Sequence, residues 1–266
     1  MKPKVLIFAS GSPTSGGSGF EKLVRASRGG ALNAEIVAVV SNYEKGGVRT
    51  RAEMLGIPFV HFAKPWDDQA YQRIAEESKA DFFALSGWLK LVTGLDPKTR
   101  FNSQKVINIH PGQLPHFGGT GMYGHHVHEA VLSAFNRGEV AHSAVTMHFV
   151  TSGYDRGPVF FQCPVSISKN DTADILGNRV NQQEHVYQPI ITDLIVNGLI
   201  TWDGIHPDSL QLPSGYSMVG KELNIHTDVL CRRCSHKTAA CLECRGGHLM
   251  TMRCLQCYDV FSIDGE

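Results

Sequence analysis

Apolar runs alternate with amphipathic segments through the first 200 residues. The apolar runs are nearly uninterrupted, which is typical of strands buried on both faces of a sheet. They are residues 4–10, 35–41, 81–87 and 105–110. The segments between them show apolar positions at helical spacing with charged outer faces, at residues 19–27, 47–56 and 66–79. This alternation predicts an α/β fold, a mostly parallel, Rossmann-like sheet with helices on both faces.

The pattern changes after residue 140. Residues 143–150 and 158–167 are two apolar runs joined by a short loop, and we expect them to extend the sheet with antiparallel character. A helical pattern follows from about Thr172 to Asn197, with Asp171 as the expected N-cap.

The cysteines divide the chain. One of the seven, Cys163, precedes residue 230, and the other six lie between Cys231 and Cys257. Periodicity is also lost after residue 200. The three expected parts are an α/β domain over 1–200, a linker or packing arm over 201–226, and a small Cys-rich, zinc-ribbon-like module over 227–266.

Composition and charge exclude some classes of function. Lys+Arg and Asp+Glu are equal at 25 each, so binding to nucleic acid is not expected. No apolar run approaches the roughly 20 residues that cross a membrane. The apolar run at the N-terminus reaches a Gly/Ser loop too soon for a signal peptide. We expect a cytoplasmic protein that acts on small molecules, and whether it forms a homodimer stays open.

The sequence SGSPTSGGSGFEKLV connects the first strand to the first helix. Glycines let the backbone approach a ligand closely, and free amides at a helix N-terminus attract anions such as phosphate. The spacing is neither that of a Walker loop nor that of a dinucleotide-binding loop. Its position after the first strand of an α/β fold favours a phosphate site. The alternative is a flexible turn.

Two polar side chains end the fourth strand. Asn108 and His110 are two residues apart and therefore point to the same face, and Pro111 ends the strand directly after them. An amide can hold a carbonyl oxygen, and an imidazole can supply a proton or stabilise a developing negative charge. Asp155, in a Gly-flanked loop, can position the imidazole. The alternative is that all three are ordinary polar groups at a strand end and a turn.

Three motifs, INIHPGQLP, VTMHFVTSGYDRGPV and QQEH, resemble the phosphoribosylglycinamide formyltransferase family over roughly residues 1–200. The Asn-x-His-Pro and Asp-x-Gly-Pro elements also occur in other folate formyltransferases. The resemblance implies transfer of a formyl group from 10-formyltetrahydrofolate to the amine of phosphoribosylglycinamide in purine biosynthesis. The alternatives are a formyltransferase for methionyl-tRNA or an amino sugar nucleotide, and a non-catalytic metal-dependent regulatory protein on the same scaffold.

The resemblance also implies roles for individual residues. Asn108 and His110 would hold the formyl oxygen, and Asp155 would orient His110 and assist proton transfer through water. The residues implied to hold phosphoribosylglycinamide are Gly17, Ser18, Gly19, Lys105 and Glu184. Those implied to line the folate pocket are Trp88, Leu89, Lys90, Leu91, Val92, Val150 and Thr151.

The sequence departs from the family pattern in two places. The first loop is longer than usual and has Gly19 where Asn is expected. Residues 117–132 replace a shorter turn and contain three histidines, which we expect to begin the next helix, partly exposed, since no acidic or Cys partner accompanies them. They are His125, His126 and His128. His148, on the same face as Thr146, either supports the site or is a core histidine.

Three Cys-x-x-Cys pairs lie near the C-terminus. They are Cys231/Cys234, Cys241/Cys244 and Cys254/Cys257. Two such pairs can present four thiolates to one zinc ion, and the 19 residues between Cys234 and Cys254 fit a zinc ribbon. All six are candidate ligands, and His236 or His248 could join a second site. A redox dithiol and an iron–sulfur cluster are the alternatives. Stability, a dimer contact and regulation are all open as the role of the module.

Overall fold

The computed structural model describes residues 1–231, 233–245 and 249–264, which form two β-sheets and the helices around them. The strands are β1 (Lys4–Phe8), β2 (Glu35–Ser41), β3 (Phe59–His61), β4 (Phe82–Ser86), β5 (Val106–His110), β6 (His142–Phe149), β7 (Val159–Ser166), β8 (Ile225–His226), β9 (Ala239–Arg245), β10 (Leu249–Cys254) and β11 (Val260–Asp264). The α-helices are α1 (Ser18–Gly29), α2 (Gly47–Leu55), α3 (Asp68–Ser78), α4 (His125–Asn136) and α5 (Ala173–Val196).

The larger sheet has the strand order β3-β2-β1-β4-β5-β6-β7. The first five strands in this order are parallel, and β6 and β7 are each antiparallel to the preceding strand. The predicted mostly parallel α/β sheet with an antiparallel extension is therefore confirmed. The edge strand β3 was not predicted, because three residues are too few to show a period.

Apolar cores cover both faces of this sheet. One core joins α1, α2, α4 and α5 to the sheet, and the other contains α3 and a group of aromatic rings. In the aromatic group, Trp88 Nε1 donates to Tyr71 Oη at 2.9 Å, and Tyr71 Oη donates to the Leu91 carbonyl at 3.0 Å. These bonds hold the chain segment that follows β4.

The start of α5 differs from the prediction by one residue. The N-cap is Thr172, whose hydroxyl accepts a hydrogen bond from the Ile175 amide at 3.3 Å. The expectation that Asp171 caps the helix is wrong, because its carboxylate accepts two hydrogen bonds from Arg179, at 2.5 and 3.0 Å.

Within the expected linker or packing arm, residues 216–223 lie against β7 and α5. The Gln162 amide on β7 donates to the Met218 carbonyl at 2.7 Å. On α5, the Gln183 side chain bonds both the amide and the carbonyl of Leu223, at 3.0 and 2.8 Å. These bonds tie the segment leading to the second sheet to the first one.

The second sheet has the order β11-β10-β9-β8 and is antiparallel. A small apolar group that includes Leu223, Ala240 and Leu255 packs against Val186 of α5. So few apolar side chains stabilise a fold only weakly. Among the helices that the structure describes, none is long and apolar enough to cross a membrane.

Candidate active site

A cavity of about 1330 Å³ lies at the carboxyl ends of β1, β4 and β5. The strand order reverses between β1 and β4, and the loops on the two sides diverge there, which makes this the usual ligand site of open α/β sheets. Its walls are the β1–α1 loop, the segments after β4 and β5, the β6–β7 loop and one face of α5. The predicted phosphate loop and the predicted polar pair on β5 thus share one cavity.

Asn108, His110, His148 and Asp155 meet on one wall of this cavity. The antiparallel register sets Asn108 opposite His148. Asn108 Nδ2 lies 3.1 Å from His148 Nε2 and 3.4 Å from Asp155 Oδ1. His148 Nδ1 donates to the Phe149 carbonyl at 2.7 Å, and its Nε2 also lies 3.4 Å from Asp155 Oδ1. Of the two interpretations of His148, the structure supports a place in the polar cluster.

The two ring nitrogens of His110 have different partners. Nε2 lies 2.7 Å from the Phe117 carbonyl, which can only accept, so we assign the hydrogen to Nε2. Nδ1 lies 3.7 Å from Asp155 Oδ2. Burial lowers the pKa of His110, against the opposing effects of Asp155 and the Phe117 carbonyl. The ring is therefore neutral at neutral pH, and Nδ1 can take up a proton.

Asp155 has a left-handed backbone conformation, with φ 53°, which Asp tolerates better than most residues. Its Oδ2 accepts a hydrogen bond from the Gly119 amide at 3.0 Å. Burial favours a higher pKa for Asp155, but the contacts with His148, His110 and the Gly119 amide outweigh burial and lower it. Asp155 is therefore ionised at neutral pH and can stabilise a protonated His110.

The predicted phosphate loop lies at the N-terminus of α1, and Gly17, Ser18 and Gly19 line the cavity. Gly17, with φ 80°, is the N-cap and provides no side-chain cap to the first amides of α1. These amides are available to an anion in the cavity. A Cβ at Gly19 would collide with Ser86 Oγ, which donates to Gln188 of α5 at 2.9 Å. This close approach explains why Gly occupies the position where Asn was expected.

Glu184 of α5 lines the same cavity. Its Oε2 accepts from Asn181 Nδ2 at 2.9 Å. Burial raises the pKa of Glu184 to about 7, and the hydrogen bond from Asn181 opposes this only in part. A carboxyl group with such a pKa becomes ionised when a cationic amine binds beside it. Sequence reasoning missed Asn181, although its spacing of three residues from Glu184 puts it on the same helix face.

The segment after β4 and the start of the β6–β7 loop form the more apolar wall of the cavity. All the residues implied for folate lie there: Trp88, Leu89, Lys90, Leu91, Val92, Val150 and Thr151. Lys90 Nζ is 4.4 Å from the centroid of the Trp66 ring, a cation–π contact at the edge of this wall.

Lys105 does not lie in the cavity, and its implied contact with the substrate phosphate is wrong. It precedes β5 at the amino end of the strand, roughly 16 Å from the carboxyl end where the cavity lies. Its Nζ is 4.4 Å from the centroid of the Phe82 ring, and the residue lines a separate small cleft.

The three histidines after β5 begin α4, as predicted, since α4 starts at His125. The expectation that no acidic residue accompanies them is wrong: His125 lies 3.2 Å from Asp174 and 3.4 Å from Glu129. Asp174 belongs to α5, so this pairing is not visible in local sequence. His128 is buried rather than partly exposed, and burial lowers its pKa to about 4.

Four of the six candidate metal ligands come together outside this cavity. Their Sγ atoms all lie within 4.8 Å of one another: Cys231, Cys234, Cys254 and Cys257. The Sγ–Sγ distances are 3.6 Å between Cys231 and Cys257 and 3.5 Å between Cys234 and Cys254. Four thiolates at about 2.3 Å from a tetrahedral zinc ion are about 3.8 Å apart, so the spacing fits this ion. The Gln256 amide donates to Cys254 Sγ at 3.3 Å, which favours the thiolate form.

The remaining candidates are not part of this group. Cys241 Sγ donates to the Glu243 carbonyl at 3.7 Å on β9. His236 is described and is not among the grouped ligands. The side chain of Cys244 and the whole of His248 lie outside the described residues.

Comparison with known proteins identifies a family. A family model described as formyl transferase matches residues 3–192. The chain is 34% identical over 213 residues to the chloroplastic phosphoribosylglycinamide formyltransferase of Arabidopsis thaliana, covering 77% of this chain and 70% of that one. It is 31% identical over 194 residues to the phosphoribosylglycinamide formyltransferase of Bacillus subtilis, covering 71% and 92%.

A solved structure leads to the same family. Glycinamide ribonucleotide transformylase 1 from Symbiobacterium toebii superposes with a TM-score of 0.67 at 25% identity, over 80% of this chain and 95% of that one. The range matched by the family model contains the polar cluster and Glu184 and ends before Cys231. The chain therefore belongs to the formyl transferase family, among the phosphoribosylglycinamide formyltransferases.

Proposed function

We propose that this protein transfers a formyl group from 10-formyltetrahydrofolate to the amine of phosphoribosylglycinamide in purine biosynthesis. The observation that carries this proposal is one cavity with three kinds of group in it. The first amides of α1 suit a phosphate, Glu184 suits an amine, and Asn108 with His110 suits a formyl oxygen. A substrate with a phosphate at one end and an amine at the other matches this arrangement.

The reaction begins when the amine nitrogen attacks the formyl carbon, and negative charge then develops on the formyl oxygen. The hydrogen bond from Asn108 Nδ2 to Asp155 Oδ1 is long, at 3.4 Å, so Asn108 can donate this N–H to the formyl oxygen instead at a small cost in energy. His110 Nδ1 takes up, through water, the proton that the attacking amine loses, and the resulting imidazolium donates a hydrogen bond to the same oxygen. The ionised Asp155 stabilises the imidazolium.

The tetrahedral intermediate collapses when the bond from the formyl carbon to N10 of the folate breaks. The proton that the neutral amine loses on forming the amide is the one that N10 gains, and an amine that arrives as an ammonium group first gives up one further proton, so transfer from the ammonium form releases one proton overall. Asp155 and His110 lie together at the cavity wall and provide the route for this proton, with water between donor and acceptor.

Glu184 binds the amine before the reaction. Burial raises the pKa of its carboxyl group to about 7, so an approaching ammonium group favours the carboxylate, which can then accept the ammonium proton and leave the neutral amine that attacks. The apolar wall formed by the segment after β4 and by Val150 takes the ring system of the folate.

Purified protein with 10-formyltetrahydrofolate tests this function. We expect tetrahydrofolate to form when phosphoribosylglycinamide is added, and not with methionyl-tRNA or an amino sugar nucleotide. Equal charge totals of 25 and 25 disfavour a large polyanionic substrate such as tRNA. Transfer to one of the competing amines instead, or to none, would refute the proposal.

A structural zinc ion in the four-cysteine cluster is the second part of the proposal. The support is the Sγ spacing, together with the weak apolar group beside it, which a metal would supplement. Metal analysis should find one zinc ion per chain, lost in Cys234→Ser and retained in the matched control Cys241→Ser. Equal zinc content in the two variants would contradict this site.

A further inference from the structure

Helix α5 contains a proline, Pro189, within its third quarter. Proline has no N–H, so the carbonyl four residues before it receives no helical hydrogen bond. That carbonyl belongs to His185, which directly follows Glu184 in the chain. The turn of α5 that carries the amine-binding carboxylate is therefore one hydrogen bond short.

The Cys-rich segment supplies the missing donor. Tyr258, directly after Cys257, donates its hydroxyl to the His185 carbonyl at 2.6 Å. The residue is 3% exposed, and its ring belongs to the core that includes α1 and α5. The hydroxyl is thus held at the carbonyl that Pro189 leaves without a helical donor.

The backbone of Tyr258 points to a role for its side chain. Its φ is 59°, in the left-handed region, as is that of Ser235 after the other cysteine pair, with φ 57°. Side chains as large as Tyr adopt this region only at a cost in energy. Gly would adopt this backbone conformation at lower cost, so we take the hydrogen bond of the phenol as the reason for Tyr at this position.

The turn formed by residues 254–258, called here the second cysteine turn, bridges two helices of the substrate site. Tyr258 bonds α5, and the Leu255 carbonyl accepts a hydrogen bond from Lys22 of α1 at 2.7 Å. The turn also packs so closely on the end of α1 that a Cβ at Gly29 would collide with the Cys257 carbonyl oxygen. α1 begins at the phosphate loop and α5 carries Glu184, so this turn contacts both helices that supply groups to the substrate site.

We propose that Tyr258 is a positioning residue for Glu184. Through the His185 carbonyl it holds the turn of α5 that Pro189 leaves incomplete, and it thereby sets the affinity for the substrate amine. The Cys-rich segment, which lies beyond the range matched by the family model, completes a helix of the substrate site. This inference rests on the proposed function of the cavity.

The variant Tyr258→Phe removes only the hydroxyl. We expect the KM for phosphoribosylglycinamide to rise about three- to tenfold, the effect of one hydrogen bond, with a smaller change in kcat. The KM for 10-formyltetrahydrofolate and the zinc content should not change. The matched control is Tyr216→Phe, because the Tyr216 hydroxyl also donates to a backbone carbonyl, that of Phe160, at 2.9 Å but on β7. This control should have the wild-type KM.

Two double variants separate positioning from general destabilisation. In the Glu184→Gln background, Tyr258→Phe should add no further rise in KM, because the two residues act as one unit. In the Pro189→Ala background, the new backbone N–H at position 189 can bond the His185 carbonyl, and Tyr258→Phe should again have little effect. Additive effects in the first background, or an unchanged KM in the single variant, would overturn the inference.

A measurement without turnover separates this inference from the proposed function. Hydrogen exchange of the amides over residues 181–188 should be faster in Tyr258→Phe than in the wild type and in Tyr216→Phe. If the wild type transfers no formyl group to phosphoribosylglycinamide, the proposed function fails. If exchange is the same in all three proteins, the positioning role fails.

Discussion

The polar cluster in the cavity and the four-cysteine cluster both gather side chains from distant parts of the chain, but different parts of the molecule support them. Asn108, His110 and His148 are on β5 and β6, inside a sheet with apolar cores on both faces. The four cysteines are on two short turns beside a small apolar group. The first cluster is held by the fold around it, whereas a metal ion would hold the second.

Because of this difference, substitutions in the two clusters should have different effects, on turnover in one case and on local structure in the other. Removing a side chain from the cavity cluster takes away a reacting group and leaves the sheet in place. Removing a cysteine takes away local structure, and its effect reaches the cavity only through α1 and α5. The largest loss of turnover should therefore accompany the smallest loss of structure.

The variant His110→Ala should show the largest effect. Without an imidazole beside the formyl oxygen, kcat should fall by about 10²- to 10⁴-fold. The thermal unfolding temperature should change far less than kcat, because the cores around β5 are intact. Steady-state kinetics and calorimetry measure the two quantities. The control His142→Ala removes a histidine at the start of β6, outside the cavity, and should leave kcat unchanged. Retention of kcat in His110→Ala would exclude the proposed role.

The variant Glu184→Gln should raise the KM for phosphoribosylglycinamide by about 10- to 100-fold, since a charged hydrogen bond to the amine is lost. In the wild type, burial raises the pKa of Glu184 to about 7, so the KM should fall as the pH rises through about 7 and the carboxylate forms. This part of the pH profile should disappear in the variant. The control is Glu139→Gln, which removes an exposed carboxyl group paired with Arg137 and should leave this pH dependence of KM unchanged. An unchanged pH profile in Glu184→Gln would assign the ionisation to another group.

The variant Cys234→Ser should have the opposite balance of effects. We expect loss of zinc and fast hydrogen exchange over residues 239–245 and 249–264, while β1 to β7 stay protected. The KM for phosphoribosylglycinamide should rise about three- to tenfold, as in Tyr258→Phe, because the hydrogen bond to α5 depends on the second cysteine turn. A loss of turnover as large as in His110→Ala would mean that the two clusters are not separable.

The variant Gly29→Ala should have the smallest effect. Its new methyl group collides with the Cys257 carbonyl oxygen, so the second cysteine turn must move away from α1. We expect an unfolding temperature lower by about 2–4 °C, full zinc content, and a KM less than threefold above the wild type. Wild-type unfolding and KM together would show that contact with α1 is unimportant for the module.

Local pattern was sufficient for much of the fold. The strands with continuous apolar runs and the helices between them were predicted to within a few residues, because a buried strand and an amphipathic helix differ in period. Asn108 and His110 could be paired from their spacing of two. The spacing of the Cys-x-x-Cys pairs predicted a four-thiolate group, although it left open which four cysteines form it.

The errors arose where the partner or the position of a side chain depends on the three-dimensional arrangement. Asp171 was expected to cap α5, but Arg179, two turns away, takes its carboxylate. Lys105 was placed by a matching motif, while strand direction puts it at the opposite end of β5. Asp174, one of the two acidic partners of His125, comes from α5 and was missed because nothing local showed that α5 packs beside α4. Asn181 was missed although it lies three residues from Glu184 on the same helix face.

The sequence by itself determined the periods of the elements, the order of the motifs and the chemistry available at each. Only the tertiary structure decided that Asp155 and His148 close on Asn108, because that depends on the register between β5 and β6 and on the path of the loop between β6 and β7. It also decided that the hydroxyl of Tyr258 meets the carbonyl that Pro189 leaves without a donor. Side-chain identity is local, whereas hydrogen-bond partners are set by which surfaces pack together.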